Sequence, residues 1–283
     1  MKWNKICLAS LALAFTLPLF ACAKNETPPS LGGSSSESVL DSNENSAENS
    51  TGSSTDSSVT NPPVAPPPAV EVKKAQYIRC TGKNVNIRSG AGTDYAVLGQ
   101  AEAGTMYAIV GKTGNWYKTY YKNKPAYIYA EYAAAFSLEK SKNDDVENVI
   151  EEGYKLLGVP YVYGAVRLHN GNGKLLGGFT ASKFDCSSLV QYVFYKGADV
   201  LLNTTTRTQV SQGKYVHPDD LSRGDCIYFT NESRQYNKGV ERIGHVALYL
   251  GNGYILHTAS DYARIEKMTS TRWKFYIEAR RFV

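Results

Sequence analysis

The chain has 283 residues, 42% of them hydrophobic, which leaves room for about two domains of ordinary size with real cores. Its net charge of +5 is unevenly spread: residues 1–22 carry +2, residues 23–72 hold seven acids against one lysine, and residues 73–283 therefore carry +9. A basic folded part suits a polyanionic partner.

Residues 1–22 read as an export signal, with Lys2 and Lys5 at its start and a mostly apolar run from Ile6 to Phe20. The run is shorter than the ~20 residues of a spanning helix, and Pro18 interrupts it. Its end, Leu19-Phe20-Ala21-Cys22, resembles the bacterial lipobox, in which the cysteine is acylated and becomes the new N-terminus. The resemblance implies a lipid on Cys22 and a place on the extracytoplasmic face of the bacterial membrane. Outside that membrane the polyanion is cell-wall polymer or lipid headgroup, not nucleic acid. Residues 23–72 are Ser, Asn, Glu, Thr and Pro with little to bury, and are expected to form a disordered tether. About 50 flexible residues have an end-to-end distance on the order of 40 Å, enough to hold a domain off a surface.

From residue 73 to 136 short alternating runs are divided by turn signals. Tyr77–Cys80, Val85–Arg88, Met106–Gly111, Trp116–Tyr121 and Ala126–Tyr129 are expected as five strands of a small all-β barrel. Asn86-Ile87-Arg88-Ser89-Gly90, Val97-Leu98-Gly99, Gly114-Asn115-Trp116-Tyr117 and Ala126-Tyr127-Ile128 occur in an order that resembles the bacterial SH3-like domains of cell-wall proteins. Such domains bind wall peptides or shape a neighbouring active site. Trp116 and the tyrosines more often serve core and rim packing than binding. Only Ser137 to Asp144 separates this segment from the next.

In residues 145–283, Val146, Val149, Ile150, Tyr154 and Leu157 recur at helical spacing, with Asp144 or Asp145 as cap and Gly158 and Pro160 as stop. A second helix is expected over Cys186–Tyr195, capped by Asp185 and ended near Gly197. A short polar helix near Thr206–Gln212 follows, then strands at Cys226–Thr230, Val246–Leu250, Tyr254–Thr258 and Tyr276–Ala279. Helices followed by antiparallel strands make an α+β domain.

Cys7 and Cys22 fall in the signal, leaving Cys80, Cys186 and Cys226, an odd count without metal-type spacing. At Cys186 a helix start stabilises an anion and favours the thiolate, which needs a histidine from elsewhere in the chain as base. Two of the four histidines share one expected hairpin. If Gly251-Asn252-Gly253 is a three-residue loop, Ala247 faces His257, and His245 then lies on the same side as His257. A two-residue Asn252-Gly253 loop puts the rings on opposite faces. On the first parity His257 holds the ring of His245 as the third member of a triad. Cys226 reads as a buried strand residue, and His169 and His217 as solvated.

Tyr161-Val162-Tyr163-Gly164, Phe184-Asp185-Cys186-Ser187-Ser188, Thr206-Arg207-Thr208-Gln209, Leu221-Ser222-Arg223-Gly224-Asp225, the run Gly244-His245 to Gly253 and Ile255-Leu256-His257 occur in an order that resembles NlpC-type cell-wall peptidases throughout residues 145–283. The resemblance implies a papain-like cysteine peptidase domain with a Cys186, His245 and His257 triad and no cofactor. It implies hydrolysis of the bond between γ-D-glutamate and a diamino acid in the peptidoglycan stem. Tyr163 would help hold the oxyanion beside the amide of Cys186, and Asp185 and Ser187 would line the pocket near the stem's N-terminal end. With a barrel packed on the cleft, Asp185 would meet a free amine, giving a preference for stems released from glycan. Ser188 and Ala165 replace usual glycines, and the stretch from Ala165 to Lys183 is longer than the family's usual link. A CHAP-type amidase or endopeptidase is the nearest enzyme alternative, disfavoured by the Tyr163 motif and His257. A wall-binding lipoprotein without activity is disfavoured by the intact Cys186, His245 and His257. A zinc site lacks a further ligand.

Overall fold

The computed structural model describes residues 73–283; the export signal, Cys22 and the tether expected over residues 1–72 lie outside the described residues. Its first part holds β1 (Lys74–Cys80), β2 (Val85–Arg88), β3 (Val97–Ala101), β4 (Met106–Ile109), β5 (Gly111–Thr113), β6 (Trp116–Tyr121), β7 (Lys124–Tyr129) and β8 (Ala133–Glu139). The single strand expected over Met106–Gly111 divides at Val110 into β4 and β5. Two strands, β3 and β8, have no counterpart in the sequence reading. The alanines of β8 carry little intrinsic strand preference. What orders them is pairing along the whole of β1, from Lys74 opposite Glu139 to Cys80 opposite Ala133. Because β8 continues to Glu139 and α1 starts at Asp144, half of the expected linker belongs to these two elements, and only residues 140–143 connect the two parts.

The second part contains α1 (Asp144–Lys155), α2 (Cys186–Ala198), α3 (Thr206–Gln209), β9 (Lys214–Val216), β10 (Cys226–Phe229), β11 (His245–Gly251), β12 (Tyr254–Ala259), β13 (Tyr262–Lys267), α4 (Ser270–Lys274) and β14 (Tyr276–Arg281). Here β9, β13 and α4 are additions to the sequence reading. One nine-stranded sheet, ordered β8-β1-β4-β13-β12-β11-β10-β14-β9, runs through both parts, while β3-β2-β7-β6-β5 close the rest of the barrel. The parts join where Ile265 of β13 pairs with Met106 of β4. Stacking of Phe136 on Tyr77 and on Tyr254, with centroids 5.2 and 5.1 Å apart, continues the same seam. The fold class is thus α+β, a papain-like domain preceded by an SH3-like barrel.

Helix α1 is capped by Asn143, whose side chain accepts from Asp145 N at 2.9 Å, and not by Asp144 or Asp145. Those two acids stand in the first turn, where the positive end of the helix dipole favours them. Val149 and Ile150 of α1 and Leu189, Val190 and Val193 of α2 are fully buried, in one core with Tyr228, Val246, Leu248 and Leu256 of the sheet. The alternate residues Ile227, Ala247, Tyr249 and Ile255 form a second core on the opposite face.

Gly197 does not end α2. The helix continues to Ala198, and Asp199 takes the left-handed conformation at φ +53°. A Cβ at position 197 would lie 2.5 Å from the backbone N and Cα of Val149, so glycine is what lets α1 and α2 approach.

Arg223 is 8% exposed and lies where the two parts meet. It donates to Glu147 Oε1 and Oε2 at 2.6 and 3.0 Å, Tyr154 Oη at 2.9 Å, Tyr77 Oη at 2.8 Å and Leu250 O at 2.9 Å. One guanidinium thereby ties β1, α1 and the end of β11.

Gly197→Ala is expected to destabilise the fold by about 1–3 kcal/mol, because backbone rather than a flexible side chain must yield. Chemical denaturation checks it, and an unchanged midpoint would show that the helices are not held at this point.

Candidate active site

The side chain of Asp185 accepts from Ser188 N at 2.7 Å, and Ser188 Oγ accepts from Asp185 N at 2.9 Å, a reciprocal cap that starts α2 at Cys186. Burial pushes the Cys186 thiol up to about 12; the Asp185 charge adds to this, and the backbone amides of Val246, Ser187 and Cys186 oppose it. Two effects thus oppose each other at this sulfur: the helix-start amides favour the thiolate, and burial favours the thiol.

The hairpin of β11 and β12 turns on two residues, Asn252 and Gly253, at φ +50° and +76°, as a type I′ turn requires. That is the loop expected to separate the two histidines. A bulge reverses the outcome: Gly251 pairs with Tyr254, but Tyr249 pairs with Ile255 and Leu248 with Leu256, so Leu250 is the extra residue. One added residue restores the parity of a three-residue loop. His245 Nε2 lies 2.9 Å from His257 Nδ1, with ring centroids 5.0 Å apart. This leaves Nδ1 of His245 as the nitrogen available to a thiol.

Burial, followed by His257 and Arg272, holds His245 well below the ordinary histidine value. His257 is 1% exposed and is also lowered by burial, with Glu266 opposing. Glu266 Oε1 stands 3.3 Å from His257 Nε2 and 2.5 Å from Arg272. The approach to His257 has ion-pair distance without hydrogen-bond alignment, and the ring nitrogen has no aligned partner among the described residues. Burial alone would raise the Glu266 carboxyl, but His257, Arg272 and Arg264 hold it at about 2. Sequence reasoning missed Glu266 and Arg272, since both enter through β13 and α4, elements without a sequence signature.

Cys186 and His245 line one cavity of about 530 Å³ with Tyr161, Asn231 and Arg272 among its other walls, all from residues 161–275. A larger cavity of about 860 Å³ lies on the barrel against Trp116, Tyr129 and Tyr132 and contains neither cysteine nor histidine.

Of the expected site residues, Tyr163, Asp185 and Ser187 do not line the Cys186 cavity, nor does His257, which reaches it through His245. Ala165 N donates to Val162 O at 3.1 Å, and Gly164 takes φ +72° in the third position of this turn. Tyr163 is 84% exposed and is not among the residues lining this cavity. Tyr161, bridged to Phe184, faces the cavity in its place. Asp185 and Ser187 are each 4% exposed, enclosed beneath Arg167.

His169 is buried against Tyr195, its Nδ1 accepting from Gly171 N at 3.0 Å, and is not solvated as expected. The loop packs on itself through a bridge from His169 to Leu175. His217 is exposed and caps a short 3₁₀ turn. Cys80 and Cys226 are buried free thiols. Among the described residues no three His, Cys, Asp or Glu side chains group to hold a metal ion.

The model of the NlpC/P60 family matches residues 158–281, and that of the bacterial SH3 domain residues 83–134. The chain is 33% identical over 127 residues to the gamma-DL-glutamyl hydrolase of Bacillus subtilis (strain 168), covering 44% of this chain and 26% of that protein. It is 33% identical over 120 residues to the peptidoglycan endopeptidase RipB of Mycobacterium tuberculosis, covering 42% and 46%. Identity is 27% over 167 residues to the gamma-D-glutamyl-L-lysine dipeptidyl-peptidase of Bacillus subtilis (strain 168), covering 59% and 49%. The chain thus spans less than half the length of each of these relatives. It is built of a bacterial SH3 domain followed by an NlpC/P60 domain.

Proposed function

We propose that the chain is a cysteine peptidase that hydrolyses peptidoglycan stem peptides, at the bond between γ-D-glutamate and the diamino acid. The observation that carries this reading is the constellation of Cys186 and His245 on one cavity with His257 2.9 Å behind His245. Relatives named for peptidoglycan and for γ-glutamyl bonds support the substrate class.

The cycle starts from a neutral pair. His245, kept unprotonated by burial, takes the thiol proton at Nδ1 as the sulfur attacks the γ-carbonyl carbon. The oxyanion that forms meets the amide of Cys186 at the helix start and the phenol of Tyr161; one such donor typically contributes ~3 kcal/mol. His245 then gives its proton to the leaving amine, and a thioester remains on Cys186. A water deprotonated by His245 attacks the thioester and releases the γ-carboxylate and the thiol. Throughout, His257 fixes the His245 ring, with the Glu266–Arg272 pair beside it. In this reading the chain is held on the outer face of the bacterial membrane by a lipid on Cys22 and acts on the wall.

Cys186→Ala is expected to abolish muropeptide hydrolysis with the fold intact, and Cys226→Ala to keep most of it. His257→Gln should retain more activity than His245→Gln, since it removes the positioner and not the base. Mass spectrometry of products decides; an active Cys186→Ala protein would refute the assignment.

Because His245 is depressed and works unprotonated, the acid limb of kcat/KM should lie below the ordinary histidine value of about 6.5. Stability follows the same sign. The unfolded chain binds protons on these histidines before the folded one does, so their contribution is complete above about 6.5 and is lost as pH falls through the folded values. A pH-rate profile and melting temperatures measured below pH 6.5 check both, and an acid limb centred above 6.5 would contradict a buried neutral base.

Metabolic labelling with a fatty-acid probe should mark the chain in cells and fail to mark Cys22→Ala; equal labelling would place the anchor elsewhere.

A further inference from the structure

The cap of α2 carries more than a helix start. A carboxylate has about four lone-pair sites, and all four of Asp185 are occupied. Oδ1 accepts from Ser188 N at 2.7 Å and Ser187 Oγ at 3.0 Å, and Oδ2 accepts from Gly164 N at 3.2 Å and Arg167 Nη2 at 3.1 Å. The same Nη2 reaches Ser187 Oγ at 3.1 Å. Arg167 also donates through Nε to Thr204 O and through Nη1 to Ala165 O at 3.2 Å, which staples the start of the long 165–183 loop to the segment before α3. The Asp185 side chain is 6% exposed and that of Arg167 20%, so this pair is largely removed from solvent.

An incoming ammonium gains from Asp185 only by displacing Arg167. That leaves a half-buried guanidinium without its counter-charge, a loss a surface contact does not repay. An acylated amine needs no counter-charge at all. Nor does the barrel wall off the Cys186 cavity, whose lining comes from residues 161–275.

We propose that Arg167 is a specificity-determining residue: by saturating Asp185 it closes the amine-reading position and sets the enzyme for stems whose N-terminal amine is acylated, as in stems still joined to glycan. The inference rests on the peptide-hydrolase reading above and names the substrate class of that same site. It reverses the preference for released stems expected from the sequence, because that expectation left Asp185 free.

The test compares kcat/KM of the full chain on L-alanyl-γ-D-glutamyl-diamino acid and on the same peptide N-acetylated. The wild type should favour the acetylated peptide by about tenfold or more, and Arg167→Gln should lower that ratio by about tenfold or more through faster cleavage of the free amine. The wild-type ratio needs no variant to fold, so it tests the idea even if Arg167→Gln is unstable. A wild type that cleaves the free amine faster overturns the role of Arg167 while leaving the hydrolase reading standing, as does a folded Arg167→Gln with an unchanged ratio. Cleavage of neither peptide by the wild type overturns the hydrolase reading itself.

Discussion

The buried guanidinium of Arg223 is the constraint on which the rest of the molecule turns. A buried cation is costly unless each of its donors is met, and here five donor contacts are distributed over Glu147, Tyr154, Tyr77 and Leu250. Glu147 supplies the counter-charge, while Tyr77 brings in the first strand of the barrel. Leu250 is the residue bulged out of the hairpin, and a bulge leaves backbone groups without ladder partners. Arg223 satisfies the carbonyl of that residue. The contact that joins barrel to peptidase domain therefore also supports the bulge that places His245 beside His257.

The charges nearest the reacting atoms are paired. Glu266 and Arg272 pair beside His257, with Arg272 also on the wall of the Cys186 cavity, and Asp185 is neutralised by Arg167 one residue before the thiol. Between these two pairs, burial raises the Cys186 thiol and lowers His245. The helix-start amides still face the sulfur, but their influence is smaller than the loss of solvent around it.

The barrel is less separable than its family match implies. Its strands β8, β1 and β4 extend the peptidase sheet, and the β6–β7 turn reaches the other side, with Lys122 N donating to Leu157 O at 2.8 Å and Asn123 Nδ2 to Ala181 O at 2.7 Å. The second of these holds the 165–183 loop from the end opposite to Arg167. A loop pinned at both ends is a fixed wall and not a lid.

The local elements were legible in the sequence because their signals are local. Cys186 at a helix start follows from Asp185 and the Leu189, Val190, Val193 stripe, and the strands around His245 and His257 follow from alternation. What failed depended on distant partners. The alanines of β8 become a strand only against β1, and the position of Gly197 has meaning only once Val149 lies across it. Tyr163 and Tyr161 share the parity of an extended chain, and the turn between Val162 and Ala165 decides which one faces the thiol. Parity in the hairpin was right for a reason the sequence does not contain, since the bulge at Leu250 compensates a two-residue loop. By itself the sequence determined residue chemistry and local periodicity, which select helix, strand and nucleophile. Only the tertiary structure decided register, the pairing of Arg167 with Asp185 and the burial of the site, because burial and pairing depend on groups tens of residues away.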